Sequence, residues 1–298
     1  MAIGTIVKAL SGFYYVQDQS AGDIYECRGR GILKKNSVSP LVGDRVNYTP
    51  TSHQQGMIEE IMPRTNEFFR PKVANVDQTI LVFTHKEPAW NQRLLDRFIV
   101  MAESVGVDSL IVINKIDLLN DSEILEVYSN KELYESIGYS VILVSTKSQV
   151  GKEELALALK DKISMFSGQS GVGKSSLLNF IESGLELKVG DVSSKLGRGK
   201  HTTRHVELYA LSSGGFIADT PGFSQIELTN IEDVSELKEY FVELFSRGQG
   251  CKYRGCTHIT EDGCQVISDV EKGEIQKFRY EHYVELFHEI KEQLQNKY

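Results

Sequence analysis

Apolar residues come first in short alternating bursts, at positions 3–10, 13–16, 24–27, 45–48 and 57–61, with Gly12, Gly22, Gly31, Gly43 and Gly56 between them. A period of two, punctuated by glycine, predicts five short strands in a small β-barrel over residues 1–67. After Pro71 the texture changes. Positions 78–83, 109–113, 141–145, 163–166, 205–211 and 216–219 read as buried strands, and 92–105, 153–159 and 176–181 have helical spacing. Strands alternating with helices predict an α/β domain over 68–230, its mostly parallel sheet covered on both faces. From Ile231 to Tyr298 the chain reads as a helical, acidic domain. It ends in a helix whose Ile275, Phe278, Leu286, Phe287, Ile290 and Leu294 recur at core-packing intervals.

Composition narrows the classes. The chain has 298 residues, 41% of them hydrophobic, enough for more than one substantial core. Lys plus Arg is 33 against 41 Asp plus Glu, a net charge of −8, which argues against a protein that coats polyanions wholesale. Nucleic-acid contact would then come from local patches. One is in the barrel, where Arg28, Arg30, Lys34, Lys35 and Arg45 outnumber Asp23, Glu26 and Asp44. The apolar runs fall far short of the ~20 residues of a spanning helix, and residues 1–10 lack a secretory pattern, so the reading is a soluble, cytoplasmic protein with no membrane contact. Four cysteines are too few for a disulfide scaffold in a chain of this length.

The candidate chemistry begins at Gly168-Gln169-Ser170-Gly171-Val172-Gly173-Lys174-Ser175, which matches GxxxxGK[ST] between a strand and a helix that opens at Ser176. Such a loop turns backbone N–H groups toward phosphate oxygens, Lys174 reaches the β and γ phosphates, and the Ser175 hydroxyl can ligate Mg²⁺. Asp219-Thr220-Pro221-Gly222 puts a carboxylate at a strand end, positioned to hold Mg²⁺ through water, and a Gly222 N–H near a γ-phosphate. Asn114-Lys115-Ile116-Asp117 also ends a strand. Its Asp117 can accept hydrogen bonds from both N1–H and the N2 amino group of guanine, which adenine cannot supply, so GTP is predicted over ATP. Ser145-Thr146-Lys147 fits a backbone contact to guanine O6.

These elements resemble the Ras-like GTPases over roughly residues 79–223, but their order is permuted. The guanine motifs precede the phosphate loop, as if a closed cycle had been cut after the strand that ends in Asp219. Sheet neighbours depend on pairing, so a permuted sheet can still form. The resemblance implies that Thr202 or Thr203 closes over Mg²⁺ and the γ-phosphate, Thr202 being the magnesium ligand assigned here. It also implies a water-orienting glutamine after Gly222, where this chain has Phe223. Intrinsic hydrolysis is then expected to be slow, with His201 or His205, or a bound partner, replacing the glutamine; His205 is carried as the catalytic candidate. The chain beyond Gly222 runs straight into the C-terminal domain, so switch movement is expected to reach that domain.

In that domain Cys251, Cys256, His258 and Cys264 form a Cys₃His set suited to one tetrahedral, structural Zn²⁺, while the distant Cys27 reads as an apolar filler. Barrel, permuted GTPase and zinc domain together resemble the ribosome small-subunit-dependent GTPase A family, most specifically in motif order, residues 199–204, residues 219–223 and the cysteine spacing. That resemblance implies an OB-fold barrel, GTP/GDP as nucleotide, hydrolysis stimulated by the small ribosomal subunit and its rRNA, and a role in late subunit maturation. Other assembly factors are open as partners, and the protein itself reads as a monomer.

Overall fold

The computed structural model describes residues 1–30, 39–52, 54–69, 71–182, 206–219, 228 and 230–296. Five strands form the N-terminal barrel: β1 (Ala2–Leu10), β2 (Phe13–Asp18), β3 (Ile24–Gly29), β4 (Arg45–Ser52) and β5 (Gln55–Ile61). Their order is β1-β2-β3-β5-β4, and β4 closes back on β1. Alternation puts Ile6, Val16, Cys27, Val46, Tyr48 and Ile58 inside, fully buried. A hairpin of β6 (Glu67–Phe68) and β7 (Val73–Ala74), not foreseen from the pattern, links barrel to sheet.

The second sheet runs β10 (Ser140–Leu143), β9 (Asp108–Asn114), β8 (Gln78–Thr84), β11 (Ile163–Ser167), β13 (Phe216–Asp219) and β12 (Glu207–Ala210). The pairings are parallel except β12–β13. β8 shows why this sheet needs cover on both faces: Leu81 and Phe83 join one core, Ile80 and Val82 the other, and every residue of the strand is buried. Helices α1 (Gln92–Glu103) and α2 (Asp121–Ile137) are followed by α3 (Lys152–Leu159) and α4 (Lys174–Ile181). α3 and α4 supply Leu155, Leu159, Leu177 and Leu178 to the core that holds Ile80 and Val82.

Helix α2 escaped the periodicity reading because its apolar residues do not gather on one face: Leu125 and Tyr128 are exposed while Val127 and Tyr134 are buried. Its ends were nonetheless marked. Asn120 and Glu123 form a reciprocal capping box, and Gly138 ends the helix at φ +117°.

The C-terminal unit comprises a 3₁₀ helix (Val234–Tyr240), α5 (Val242–Gly248), α6 (Gln265–Glu271) and α7 (Lys277–Gln295). Leu286, Phe287 and Ile290 of α7 are buried, as the spacing predicted. Phe278 is not in the core; it lies half-buried against His282, with ring centroids 5.6 Å apart. The fully buried residue of that turn is Arg279. Among the described residues no helix is long and apolar enough to cross a membrane.

Candidate functional site

β11 runs directly into the glycine-rich loop, and α4 begins at Lys174. Two glycines hold left-handed backbone at points of closest approach. A Cβ on Gly168 (φ +143°) would lie 2.2 Å from the Val82 carbonyl oxygen, and one on Gly173 (φ +94°) would lie 2.6 Å from Asn114 Nδ2. The loop therefore closes onto the ends of β8 and β9. Lys174 Nζ donates to the Gly168 and Gln169 carbonyls, each at 2.8 Å, and burial lowers its pKa to about 8. Ser170 is exposed on the same loop, and Ser175 and Ser176 lie in the first turn of α4.

Asn114, the last residue of β9, donates from Nδ2 to the Val172 carbonyl at 2.8 Å, tying the guanine-type motif to the phosphate-type loop. Lys115 adopts φ +62° and donates from Nζ to the Glu87 carbonyl at 2.8 Å. Asp117 is exposed in the 3₁₀ turn Ile116–Leu118, where the Ser145 hydroxyl donates to its Oδ1 at 2.6 Å. Ser145 is itself held by Ser148 N–H at 3.0 Å and by a bridge to Val150, which presents Thr146 and Lys147 at the tip of a short loop. The two motifs, 28 residues apart in sequence, thus become one carboxylate-bearing edge. Asp219 ends β13, which pairs in parallel with β11, so its backbone lies next to the root of the glycine-rich loop. His201, Thr202, Thr203, His205, Gly222 and Phe223 lie outside the described residues.

The metal-type cluster lies C-terminal to these motifs. One ligand atom from each of Cys251, Cys256, His258 and Cys264 comes within 4.8 Å of all the others. His258 Nδ1 is 3.6 Å from Cys251 Sγ and 3.4 Å from Cys264 Sγ, and these sulfurs are 3.9 Å apart. Bonds of about 2.3 Å to sulfur and 2.0 Å to nitrogen in a tetrahedron give edges of this length, so the donor set fits Zn²⁺. The support is local. Glu261 is partly buried, yet hydrogen bonds from the Thr257 hydroxyl and from Thr257 and Ile259 N–H hold its pKa near about 2. Tyr280 donates to the His258 carbonyl at 2.8 Å, and Tyr283 donates to the Thr257 carbonyl.

Motif reading missed a buried ionic cluster that joins the C-terminal unit to the nucleotide-type domain. Arg279 of α7 donates to Asp96 of α1 at 2.6 Å and to both carboxylate oxygens of Glu243 of α5 at 2.6 and 3.0 Å. Asp96 is also bonded to Tyr134 of α2 (2.9 Å) and His282 of α7 (2.6 Å). Burial opposes the Arg279 charge, but Asp96 and Glu243 outweigh it and keep its pKa above the ordinary arginine value. One signal was available: position 279 falls on the apolar stripe that includes Ile275, Tyr283, Leu286 and Ile290.

Comparison with known proteins bears on the same residues. Residues 61–229 match the RsgA GTPase family and 3–58 the RsgA N-terminal domain. The small ribosomal subunit biogenesis GTPase RsgA of Geobacillus kaustophilus is 52% identical over 292 residues, covering 98% of both chains. The crystal structure of YloQ, described as a circularly permuted GTPase, superimposes with a TM-score of 0.84 at 43% identity, covering 98% of this chain and 96% of that one. YjeQ from Thermotoga maritima gives 0.85 at 38% identity, covering 97% and 98%. A permuted order of motifs, a closed barrel ahead of them and relatives matched over nearly their whole length lead to one assignment: this chain belongs to the RsgA GTPase family and is a GTP-hydrolysing enzyme.

Proposed function

We propose that the protein hydrolyses GTP in response to the small ribosomal subunit, late in that subunit's maturation, and that it works in the cytoplasm as a monomer. The observation that carries the nucleotide reading is Asp117, held at Oδ1 by Ser145 while Asn114 grips the glycine-rich loop at Val172. Base recognition and phosphate binding are thereby joined along one hydrogen-bonded edge. In this reading Asp117 accepts from guanine, Lys115 lies along the base, and Thr146 and Lys147 border its O6. The backbone of Gly168 to Gly173 surrounds the phosphates, and Ser175 and Ser176 complete the pocket at the helix N-terminus.

Lys174 neutralises charge on the β and γ phosphates as the bond to the leaving oxygen breaks, which requires it to exchange its two loop carbonyls for phosphate oxygens. Ser175, Thr202 and Asp219 would hold Mg²⁺, directly or through water, with Thr203 the alternative to Thr202; the ion supplies charge neutralisation between the phosphates when bound. In this reading the Gly222 N–H would donate to the γ-phosphate. Phe223 cannot orient water, so His205 or the docked subunit takes that role. The barrel and the C-terminal unit grip rRNA, the latter folded around one structural Zn²⁺ held by Cys251, Cys256, His258 and Cys264.

The test is phosphate release from GTP and from ATP, with and without small subunits, at two salt concentrations because phosphate contacts of RNA are salt-sensitive. Turnover of GTP only, low alone and raised by subunits, is expected. Guanine-specific binding without stimulated turnover would instead fit an RNA-binding adaptor that keeps GTP as a structural ligand, a reading that Phe223 permits.

A further inference from the structure

We propose that Lys8 and Glu207 are positioning residues through which the barrel sets the strand ends that carry the catalytic segments. This rests on the function proposed above. β1 belongs to both sheets. Its first half, from Ala2 to Thr5, pairs with β4 and closes the barrel; against β2 its register shifts between Ile6 and Lys8, and Lys8 pairs with Glu207 of β12. Such a bulge re-aims the strand, here beside the point where its second edge passes from a barrel neighbour to the edge of the nucleotide sheet.

The next rung continues the row. Glu207 is the cross-strand partner of Asp219, so Lys8, Glu207 and Asp219 lie in line across three adjacent strands. At about 4.8 Å per strand, the barrel backbone at Lys8 is about 10 Å from the backbone of the DxxG aspartate. Glu207 also stands two positions beyond His205, at the root of the segment that holds the threonine candidates. One barrel residue therefore pairs with the root of one switch segment and lies one strand away from the root of the other.

The contact is concentrated. Between β1 and β12 the register contains the single pair Lys8↔Glu207. Lys8 Nζ reinforces it by donating to both carboxylate oxygens of Glu207, at 3.0 and 3.1 Å. Elsewhere the barrel meets the connector before β8, through the Val42↔Val73 bridge and the Asn75 side chain donating to the Gly43 carbonyl at 3.0 Å. Those contacts anchor the barrel without touching β12 or β13. Among the described residues, a displacement of β1 caused by RNA seated on the barrel reaches the switch roots through the Lys8–Glu207 rung.

Charge reversal tests the pair. Lys8→Glu is expected to leave basal GTP turnover within twofold and subunit co-sedimentation within threefold, while subunit-stimulated kcat falls at least tenfold with KM for GTP unchanged. Lys8→Arg should retain stimulation, and Lys8→Glu combined with Glu207→Lys should recover at least half of it. Full stimulation in Lys8→Glu, or no recovery in a double variant that folds and binds subunits, overturns the proposal. Amide exchange on the full chain without subunits is the second readout: a GTP-versus-GDP difference over residues 8–10, present in the wild type and lost in Lys8→Glu, is expected. Should subunits fail to stimulate the wild type, the functional reading falls, and this exchange difference alone decides the coupling, its absence from the wild type refuting it.

Discussion

The nucleotide domain meets its two neighbours through contacts of opposite kind. Toward the C-terminal unit, Arg279 and Asp96 are both inaccessible to solvent, with Glu243, Tyr134 and His282 closing the cluster, and Arg97–Glu289 and Arg93–Glu285 extend the seam between α1 and α7. Toward the barrel, the sheet-to-sheet contact is one rung and one ion pair whose side chains are about a third exposed. A buried charge loses much when its partner shifts, because neither group regains water. A half-exposed pair loses little. The first seam therefore loses much if it shifts, whereas the Lys8–Glu207 pair by itself loses little. The expected route of switch movement into the C-terminal unit lies outside the described residues; within them, that unit is fastened to α1 through Arg279 and Asp96.

Four experiments would break or sharpen this contrast, in descending order of expected effect. Metal chelation, or Cys264→Ser, should unfold the region around residues 249–264, since structural zinc contributes about 10–16 kcal/mol in isolated zinc-finger peptides; amide exchange should show the loss there while GTP binding persists. If the barrel loosened instead, the two neighbours would not be independent.

Arg279→Ala leaves Asp96 and Glu243 buried without their cation and should cost about 3–5 kcal/mol in urea unfolding. Replacing Arg279, Asp96 and Glu243 together with apolar residues should restore most of that stability. Failure of the triple variant to recover would mean that the cluster specifies geometry rather than merely avoiding unpaired charge.

The third experiment addresses the nucleotide edge between the two seams. Burial lowers the Lys174 pKa to about 8, and a bound polyphosphate favours the protonated form. As pH rises above about 8 the free protein must take up a proton to bind, so GTP affinity should fall by up to about tenfold per pH unit until the bound-state pKa is reached. Affinity flat from pH 7 to 10, measured by calorimetry in buffers of different ionisation heat, would contradict the role given to Lys174.

The smallest effect belongs to the barrel joint. Lys8→Ala should change global stability by less than ~1 kcal/mol, in keeping with a half-exposed pair. A loss as large as that of Arg279→Ala would erase the distinction between the seams.

What could be read in advance follows the range over which each feature is encoded. The glycine-rich loop, Asn114 to Asp117, Ser145 to Lys147 and the cysteine cluster each carry their chemistry in a few consecutive or closely spaced residues. The barrel and the parallel sheet were legible because alternation and unbroken apolar runs report which faces are buried. Helix α2 was missed where that signal fails, although its Asn120 and Glu123 cap was visible in the sequence.

The sequence by itself determined most element types, the permuted motif order and the candidate nucleotide and metal motifs, because backbone geometry and local spacing suffice for them. Only the tertiary structure decided which distant charges meet. Arg279 and Asp96 are 183 residues apart and Lys8 and Glu207 are 199 apart. Ordinary charged residues in a chain containing 33 basic and 41 acidic side chains do not announce their partners. Their pairing depends on which strands and helices become neighbours, and packing of the two apolar cores settles that.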